Sequence, residues 1–136
     1  MKIFKTTENK IRIIGYDGIS AAKGFHHYLK YYLNKSVYWY NKPIDLGRNI
    51  DLPFINLTQT SASAIIYYQN VCTWGYSFVW WNWSKWKSHI DWMVMMGISL
   101  TIAPIQEEFW YETYSEIGLT DDEINSHFTG PAFLPW

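Results

Sequence analysis

The chain has 136 residues, of which 17% are charged and 20% are aromatic, and its formal net charge is −1 at pH 7. These values indicate one ordered domain of modest size, because the chain can bury an apolar core and lacks the polarity of disordered sequences. They argue against nucleic acid as the main partner, since positive charge is not in excess. The apolar runs are too short to span a membrane, and the single Cys72 excludes an intramolecular disulfide and a cysteine-based zinc cluster.

The first part of the chain is predicted to be a small α/β domain. Ile11 and Ile13 alternate with polar residues, which is typical of a half-buried strand. A helix is predicted over residues 20–33, where apolar residues recur at spacings of three and four. A short strand is predicted over residues 37–40. Residues 41–63 are predicted to form a loop that ends this domain.

The second part of the chain alternates strands with helices. A strand rich in β-branched and aromatic residues is predicted over residues 65–71, followed by a helix over residues 84–96. A strand over residues 98–103 and a helix over residues 106–117 follow. Residues 120–123 match a capping box, which predicts one more short helix.

Strand, helix, strand and helix in this order predict two parallel βα units. We therefore predict an α/β fold: a small N-terminal α/β domain at residues 1–63, then the first two βα units of an incomplete (β/α)8 TIM barrel at residues 64–136. A closed barrel needs eight such units and usually more than about 200 residues. The chain is therefore expected to be a fragment of a larger protein or, alternatively, to complete its sheet by oligomerising.

Acidic residues and histidines give no convincing catalytic or metal site, and no metal or cofactor is expected. Glu107 and Glu108 are neighbours on a predicted helix, so their side chains diverge by about 100° and fit better as negative charges in its first turn. The histidines lack the one-turn spacing with an acidic partner that is typical of metal ligands. Ordinary helix or surface positions are therefore expected for His26, His27, His89 and His127.

Asn70 and Cys72 come at the end of the predicted strand over residues 65–71. They are two residues apart, so on a strand they would project to the same side. If the strand belongs to a barrel, that side is the barrel interior or mouth, where the Asn70 amide is placed to hydrogen-bond a polar ligand. Alternatively, Asn70 is a turn residue at the strand end and Cys72 is a buried or pocket-lining thiol.

Most of the nine tryptophans are expected in the core. Trp83 and Trp86 fit the apolar face of a predicted helix, which favours packing over a site. Trp136 follows a turn and lies on no periodic face, so it is the tryptophan that packing explains least.

Asn34, Asn56 and Asn82 each begin a triplet that matches the N-glycosylation pattern. The triplet is common by chance, so these matches support a secretory route only weakly.

Two long motifs are specific enough to indicate a known family. Residues 67–73 are Tyr-Tyr-Gln-Asn-Val-Cys-Thr, and residues 128–134 are Phe-Thr-Gly-Pro-Ala-Phe-Leu. Together with residues 76–81 and 90–93, they closely resemble the alpha-N-acetylglucosaminidase family of glycoside hydrolases. A weaker similarity covers residues 15–33, which resemble the small N-terminal domain of that family.

The resemblance implies a hydrolase with a small N-terminal α/β domain, a catalytic (β/α)8 barrel and a helical C-terminal domain. Such enzymes remove terminal α-linked N-acetylglucosamine with retention, and in animals they act in the lysosome on heparan sulfate. Their two catalytic glutamates come from later barrel strands, and no position of this sequence matches them, so the chain alone is expected to be inactive. The sugar contacts of the family carry over to Asn70, Cys72 and Trp136.

The resemblance also bears on partners and location. It implies a carbohydrate partner with terminal α-linked N-acetylglucosamine, leaves oligomerisation open, and favours a lysosomal or secreted protein although residues 1–10 lack a signal-peptide pattern. Residues 105–108, Ile-Gln-Glu-Glu, depart from the family, which usually has a glycine before Gln-Glu-Ala, and this puts the geometry of that loop in doubt. The alternative function is a non-catalytic carbohydrate-binding or interaction module.

Overall fold

The structure, a computed structural model, describes residues 1–40, 43–48, 50–69, 71–102 and 107–128. The chain divides into two compact units. One comprises Met1–Tyr67 and Trp83–Leu100, and the other comprises Tyr68–Asn82 and Thr101–Trp136.

Three antiparallel strands form the sheet of the first unit. β1 (Lys2–Lys5) lies in the centre, between β2 (Ile11–Ile14) and β3 (Asn56–Thr58). Ile3 of β1 is opposite Ile13 on one side and Leu57 on the other. The alternation of apolar and polar residues therefore predicted β2 correctly, because one face of this sheet is buried.

The strand order corrects two predictions for residues 37–63. Residues 37–40 are not a strand but an irregular segment that ends in a turn. The predicted loop instead contains β3, whose Leu57 and the preceding Ile55 alternate with polar Asn56 and Thr58. A segment this short forms a strand only because the edge of β1 is available for pairing.

Helix α1 (Gly18–Tyr32) covers one face of this sheet and confirms the predicted helix. Its N-cap is Asp17, whose Oδ1 accepts a hydrogen bond of 2.7 Å from the Ser20 backbone amide, while the Ser20 hydroxyl accepts one from the Asp17 amide. This reciprocal pairing satisfies two backbone donors that the first helical turn leaves open. The helix contributes Tyr28 to a core that also contains Ile3 and Ile55.

Helix α2 (Trp83–Met96) packs against α1 within the first unit and ends at Gly97, whose φ of +81° is the left-handed conformation expected there. Its buried residues are His89 and Met93. The predicted apolar face is therefore partly wrong: Trp83 is 70% exposed and cannot be explained as core. The buried side of α2 is instead the one that carries His89 and Met93.

A second sheet joins β4 (Tyr67–Tyr68) to β5 (Leu100–Thr101). The Ser99 and Leu100 amides donate to the Ile66 carbonyl. Farther along both segments, the Thr101 hydroxyl donates to Gln69 Oε1. Contacts that advance in the same direction along both segments are those of parallel strands. Both strands are shorter than predicted.

The second unit also contains helices α3 (Glu107–Glu116) and α4 (Asp121–His127). Gly118, with φ of +94°, follows α3, and the predicted capping box of α4 is present, with Thr120 accepting from the Glu123 amide. Ile124 of α4 is fully buried. Both predicted helices are therefore confirmed within the described residues.

Candidate functional site

The predicted site begins where β4 ends. Val71–Gly75 form a 3₁₀ helix rather than the last part of a strand, so the expectation that Cys72 lies on the strand is wrong. A 3₁₀ helix turns by about 120° per residue, and strand alternation therefore does not decide the direction of Cys72. The side chain of Cys72 is half-buried on this helix.

Two of the three predicted sugar contacts, Asn70 and Trp136, lie outside the described residues. Their roles, and that of Cys72, stay predictions.

The turn that follows the 3₁₀ helix is held by backbone hydrogen bonds and by one aromatic pair. The amides of Tyr76 and Phe78 both donate to the Thr73 carbonyl, at 3.2 and 2.9 Å. Phe78 is 5% exposed, and its ring centroid lies 4.0 Å from that of Trp81. The two backbone bonds tie this turn to the end of the motif, and Phe78 packs on Trp81, whereas Trp80 is 78% exposed.

Gln69 precedes the predicted site residue Asn70 and was not itself predicted to contact a ligand. Its Oε1 accepts the hydrogen bond of 3.1 Å from Thr101, and its Nε2 is buried with no hydrogen-bond partner among the described residues. A buried amide donor without an acceptor is costly, by about 1–3 kcal/mol, and is therefore uncommon. The only available signal was its position, one residue before Asn70 in the family motif.

The acidic residues that the structure describes have local roles in helices and hydrogen bonds. α3 begins at Glu107, so Glu107 and Glu108 lie in its first turn, as predicted. Asp121 accepts a hydrogen bond of 2.6 Å from the Tyr111 hydroxyl, and this bond, with some burial, raises the pKa of Tyr111. Across the described ranges, no three histidine, cysteine or acidic side chains are placed to share a metal ion.

His26 and His89 lie on helices, as expected, but neither is at the surface. His26 is 8% exposed and His89 is fully buried. Burial lowers the pKa of each, and the positive charges of Lys30 and His27 lower that of His26 further. The spacing of four residues that separates His89, Met93 and Gly97 could have revealed the position of His89, since it places all three on one face.

The first unit contains an open cavity of about 400 Å³ between α1, α2, residues 37–39 and residues 43–46. Most of its lining is apolar or aromatic, including Leu29, Trp39, Trp92 and Met95. α2 contributes Ser88 and Asp91 to its wall, and Asp91 is paired with Lys87 at 2.6 Å.

The three predicted glycosylation sites, Asn34, Asn56 and Asn82, are all exposed. Their modification stays a prediction. Among the described residues, no helix combines the length and apolar character that crossing a membrane requires.

Comparison with known proteins connects both parts of the chain to one family. A family model for the alpha-N-acetylglucosaminidase N-terminal domain matches residues 2–54, and one for the TIM-barrel domain of the same enzyme matches residues 66–136. Human alpha-N-acetylglucosaminidase is similar to the chain, with 44% identity over 128 residues.

Two solved structures from Clostridium perfringens are similar to the whole chain. One is a family 89 glycoside hydrolase in complex with PUGNAc. The other is CpGH89, with two glutamates replaced by glutamine, in complex with its substrate GlcNAc-alpha-1,4-galactose. Each has a TM-score of 0.85 and 30% sequence identity to this chain.

The similarity covers nearly all of this chain but a small part of each relative. It includes 93% of this chain and 17% of the human protein, and 99% of this chain and 16% of each bacterial structure. Because a family model matches more than half of its residues, the chain belongs to the alpha-N-acetylglucosaminidase family.

Proposed function

We propose that this chain supplies the N-terminal domain and the first two βα units of a retaining glycoside hydrolase that removes terminal, non-reducing α-linked N-acetylglucosamine. The observation that carries the proposal is the match of residues 66–136 to the TIM-barrel domain of the family. The coverage of 16–17% of the relatives supports a contribution to a catalytic barrel, not a whole one.

The second sheet supports the barrel part of this proposal. The contacts between β4 and β5 advance in the same direction along both segments, as they do in the parallel strands of a (β/α)8 barrel. β4 then leads directly into the family motif. In a barrel enzyme, the chain that follows the carboxyl end of a strand carries the substrate contacts.

Asn70, Cys72 and Trp136 are proposed to bind the terminal sugar. The hydrogen bond between Gln69 and Thr101 supports this assignment, because it connects a residue of the motif to the neighbouring strand β5. The sugar would be oriented against two carboxylates from later barrel strands. In a retaining enzyme these lie about 5 Å apart.

The proposed substrate is a glycan that ends in α-linked N-acetylglucosamine. The bacterial relative CpGH89 is described with its substrate GlcNAc-alpha-1,4-galactose, which carries such an end. By the same family resemblance, heparan sulfate is the proposed substrate in an animal, and the lysosome or a secretory route is the proposed location.

An activity assay tests the proposal directly. Without the two carboxylates, the purified 136-residue chain is expected not to hydrolyse an aryl α-N-acetylglucosaminide above the rate of a buffer control. The human relative assayed in parallel shows that the assay works. Robust hydrolysis by the chain alone, lost on removal of one of its own acidic residues, would refute the proposal.

Titration with N-acetylglucosamine distinguishes this function from a non-catalytic carbohydrate-binding module. Saturable changes in amide chemical shifts that Asn70→Ala abolishes would favour the binding module. Asn125→Ala is the matched control, because Asn125 is exposed on α4 and outside the motif. The proposed enzyme part predicts weak or absent binding, since most of the sugar subsite comes from elsewhere in the barrel.

A further inference from the structure

The sheet of the first unit has one face that packs on the core and one face that is open to solvent. The core face carries Ile3, which packs with Tyr28 of α1. On the opposite face, the paired registers of β2, β1 and β3 align six side chains in two rows. One row is Ile14, Lys2 and Thr58, and the other is Arg12, Phe4 and Asn56. We call these six residues the outer face. Phe4 is half-buried and the other five are exposed.

The outer face is positively charged. It carries Lys2 and Arg12, and none of the residues in β1, β2 and β3 is acidic. Glu8, in the turn between β1 and β2, is paired with Lys10 at 2.7 Å. Among the described residues, neither Lys2 nor Arg12 forms an ion pair. Both charges on the outer face are therefore available to an anion from solution.

Aromatic surface adjoins these charges. Nζ of Lys2 lies 5.2 Å from the ring centroid of Phe4, so the ring and the cation are presented together. Phe54, which precedes β3, is 75% exposed. An open recess of about 180 Å³ lies beside both rings and is lined by Lys2, Phe4, Lys5, Phe54, Ile55 and Asn56. The two phenylalanines give this recess apolar walls, and the Asn56 amide can both donate and accept hydrogen bonds.

The spacing of these groups suits a short, rigid ligand. Neighbouring strands lie about 4.8 Å apart, so the row of Arg12, Phe4 and Asn56 spans about 10 Å, close to the length of two linked sugar rings. A guanidinium group binds an oxyanion through two parallel hydrogen bonds. An aromatic ring contacts the C–H face of a sugar, and an amide binds its hydroxyls. An acidic sugar presents all three partners on one ring.

We propose that the outer face binds an acidic oligosaccharide, whose sugar rings carry carboxylate or sulfate groups. Lys2 and Arg12 pair with the anionic groups, Phe4 and the adjoining Phe54 contact the faces of the rings, and Asn56 binds hydroxyls. This inference goes beyond the proposed function, because it assigns a second sugar-binding surface to the first unit. It does not rest on the catalytic barrel proposed for residues 64–136.

Other ligand classes fit the outer face less well. An acidic peptide typically adds a strand to the open edge of a sheet, whereas these side chains stand on the face. A nucleic acid strand is bound by a longer series of cations that follows its phosphates, and the outer face offers two cations within about 10 Å. A neutral glycan would leave Lys2 and Arg12 without a role.

An NMR titration of the 136-residue chain tests the proposal. The probe is a tetrasaccharide in which uronate alternates with sulfated glucosamine, and backbone amide shifts are followed at neutral pH. Saturable changes are expected in β1, β2 and β3, and added salt should weaken them because it screens exposed charges. The chain is produced without N-glycans, since a glycan on Asn56 would occupy the same row of the outer face.

Four variants assign the binding to particular side chains. Arg12→Gln and Lys2→Gln each remove one charge at an exposed position, and each should raise the Kd about threefold to fivefold, the effect of losing one exposed ion pair. Phe54→Ser removes the exposed ring and should also weaken binding. Lys30→Gln is the matched control, because it removes the same charge from an exposed position of α1, the helix that packs on the core face. Its Kd should equal that of the unaltered chain.

Equal weakening by Arg12→Gln and Lys30→Gln would overturn the proposal, because it would show attraction to net charge and not to the outer face. So would the absence of saturable shifts in the three strands at millimolar probe. Shifts confined to residues 69–76 would place the sugar at the motif of the second unit instead. Equal affinity for a neutral tetrasaccharide of N-acetylglucosamine, or tighter binding of hexaglutamate or of a thymidine oligonucleotide, would assign the face to another ligand class.

Discussion

Gly97 and Gly118 share a left-handed backbone conformation but differ in what surrounds them. Their φ angles are +81° and +94°. A Cβ at Gly97 would overlap Cδ of Lys23, whereas a Cβ at Gly118 would meet nothing within 4 Å. The same substitution can therefore separate the cost of the backbone conformation from the cost of a steric clash.

We expect Gly118→Ala to destabilise the chain by about 1–2 kcal/mol, the cost of a left-handed L-residue. Gly97→Ala should cost more, because the side chain of Lys23 must also move. Urea denaturation of the two variants beside the unaltered chain measures both losses. Equal losses would show that Lys23 adapts freely.

The buried histidines also predict how stability depends on pH. Because the pKa of His26 and of His89 is lower in the folded than in the unfolded chain, the unfolded chain binds more protons at mildly acidic pH. The stabilisation is therefore complete above about pH 6.5 and is lost as the pH falls below that value.

We expect the free energy of unfolding to decrease between about pH 7 and about pH 5, and to decrease less in His89→Phe. Denaturation at a series of pH values checks this, with the exposed His127→Phe as control. An identical pH dependence in His89→Phe and in the unaltered chain would contradict the role given to His89.

At the scale of elements, the sheet of the first unit depends on one face of its central strand. Ile3 of β1 is fully buried, whereas Ile14 of β2 is 50% exposed. Ile3→Ala should destabilise the chain by about 2–5 kcal/mol, because it leaves a cavity in the core. Ile14→Ala is a control matched in residue type, for which we expect a loss below about 1 kcal/mol. Thermal unfolding that shifts equally in both variants would be inconsistent with the core described.

The elements also show where the local sequence is sufficient to predict the conformation of a segment. Helices α1 and α4 carry their own capping residues, so their starts followed from a few neighbouring residues. β3 and residues 37–39 had the opposite outcome: β3 pairs with the edge of β1, and residues 37–39 contact α1 and α2 through His26 and His89. Neither of these surfaces is visible in the residues themselves.

At the scale of the whole molecule, exposed aromatic residues predict self-association. Tyr76 and Trp80 are 69% and 78% exposed within one short segment of the second unit, and large exposed apolar surfaces are uncommon in stable monomers. We expect the isolated chain to associate with increasing concentration, and Tyr76→Ser to weaken this. Tyr16→Ser is the control, since Tyr16 is 98% exposed in the turn before α1. Sedimentation velocity at several concentrations measures the effect, and an equal response to both substitutions would exclude a specific surface.

The sequence by itself determined the family, the helices and their ends. The long motifs, the helical spacing of apolar residues, the capping boxes and the glycines after α2 and α3 are properties of neighbouring residues. For the candidate site, the sequence provided the position of the motif and three candidate residues, which are Asn70, Cys72 and Trp136.

Only the tertiary structure decided the pairing of β3, the 3₁₀ helix that carries Cys72, the buried face of α2 and the hydrogen bond between Gln69 and Thr101. The physical reason is the same in each case. Strand pairing, the choice of a buried face and the satisfaction of a buried amide all depend on atoms supplied by segments that are distant in the sequence.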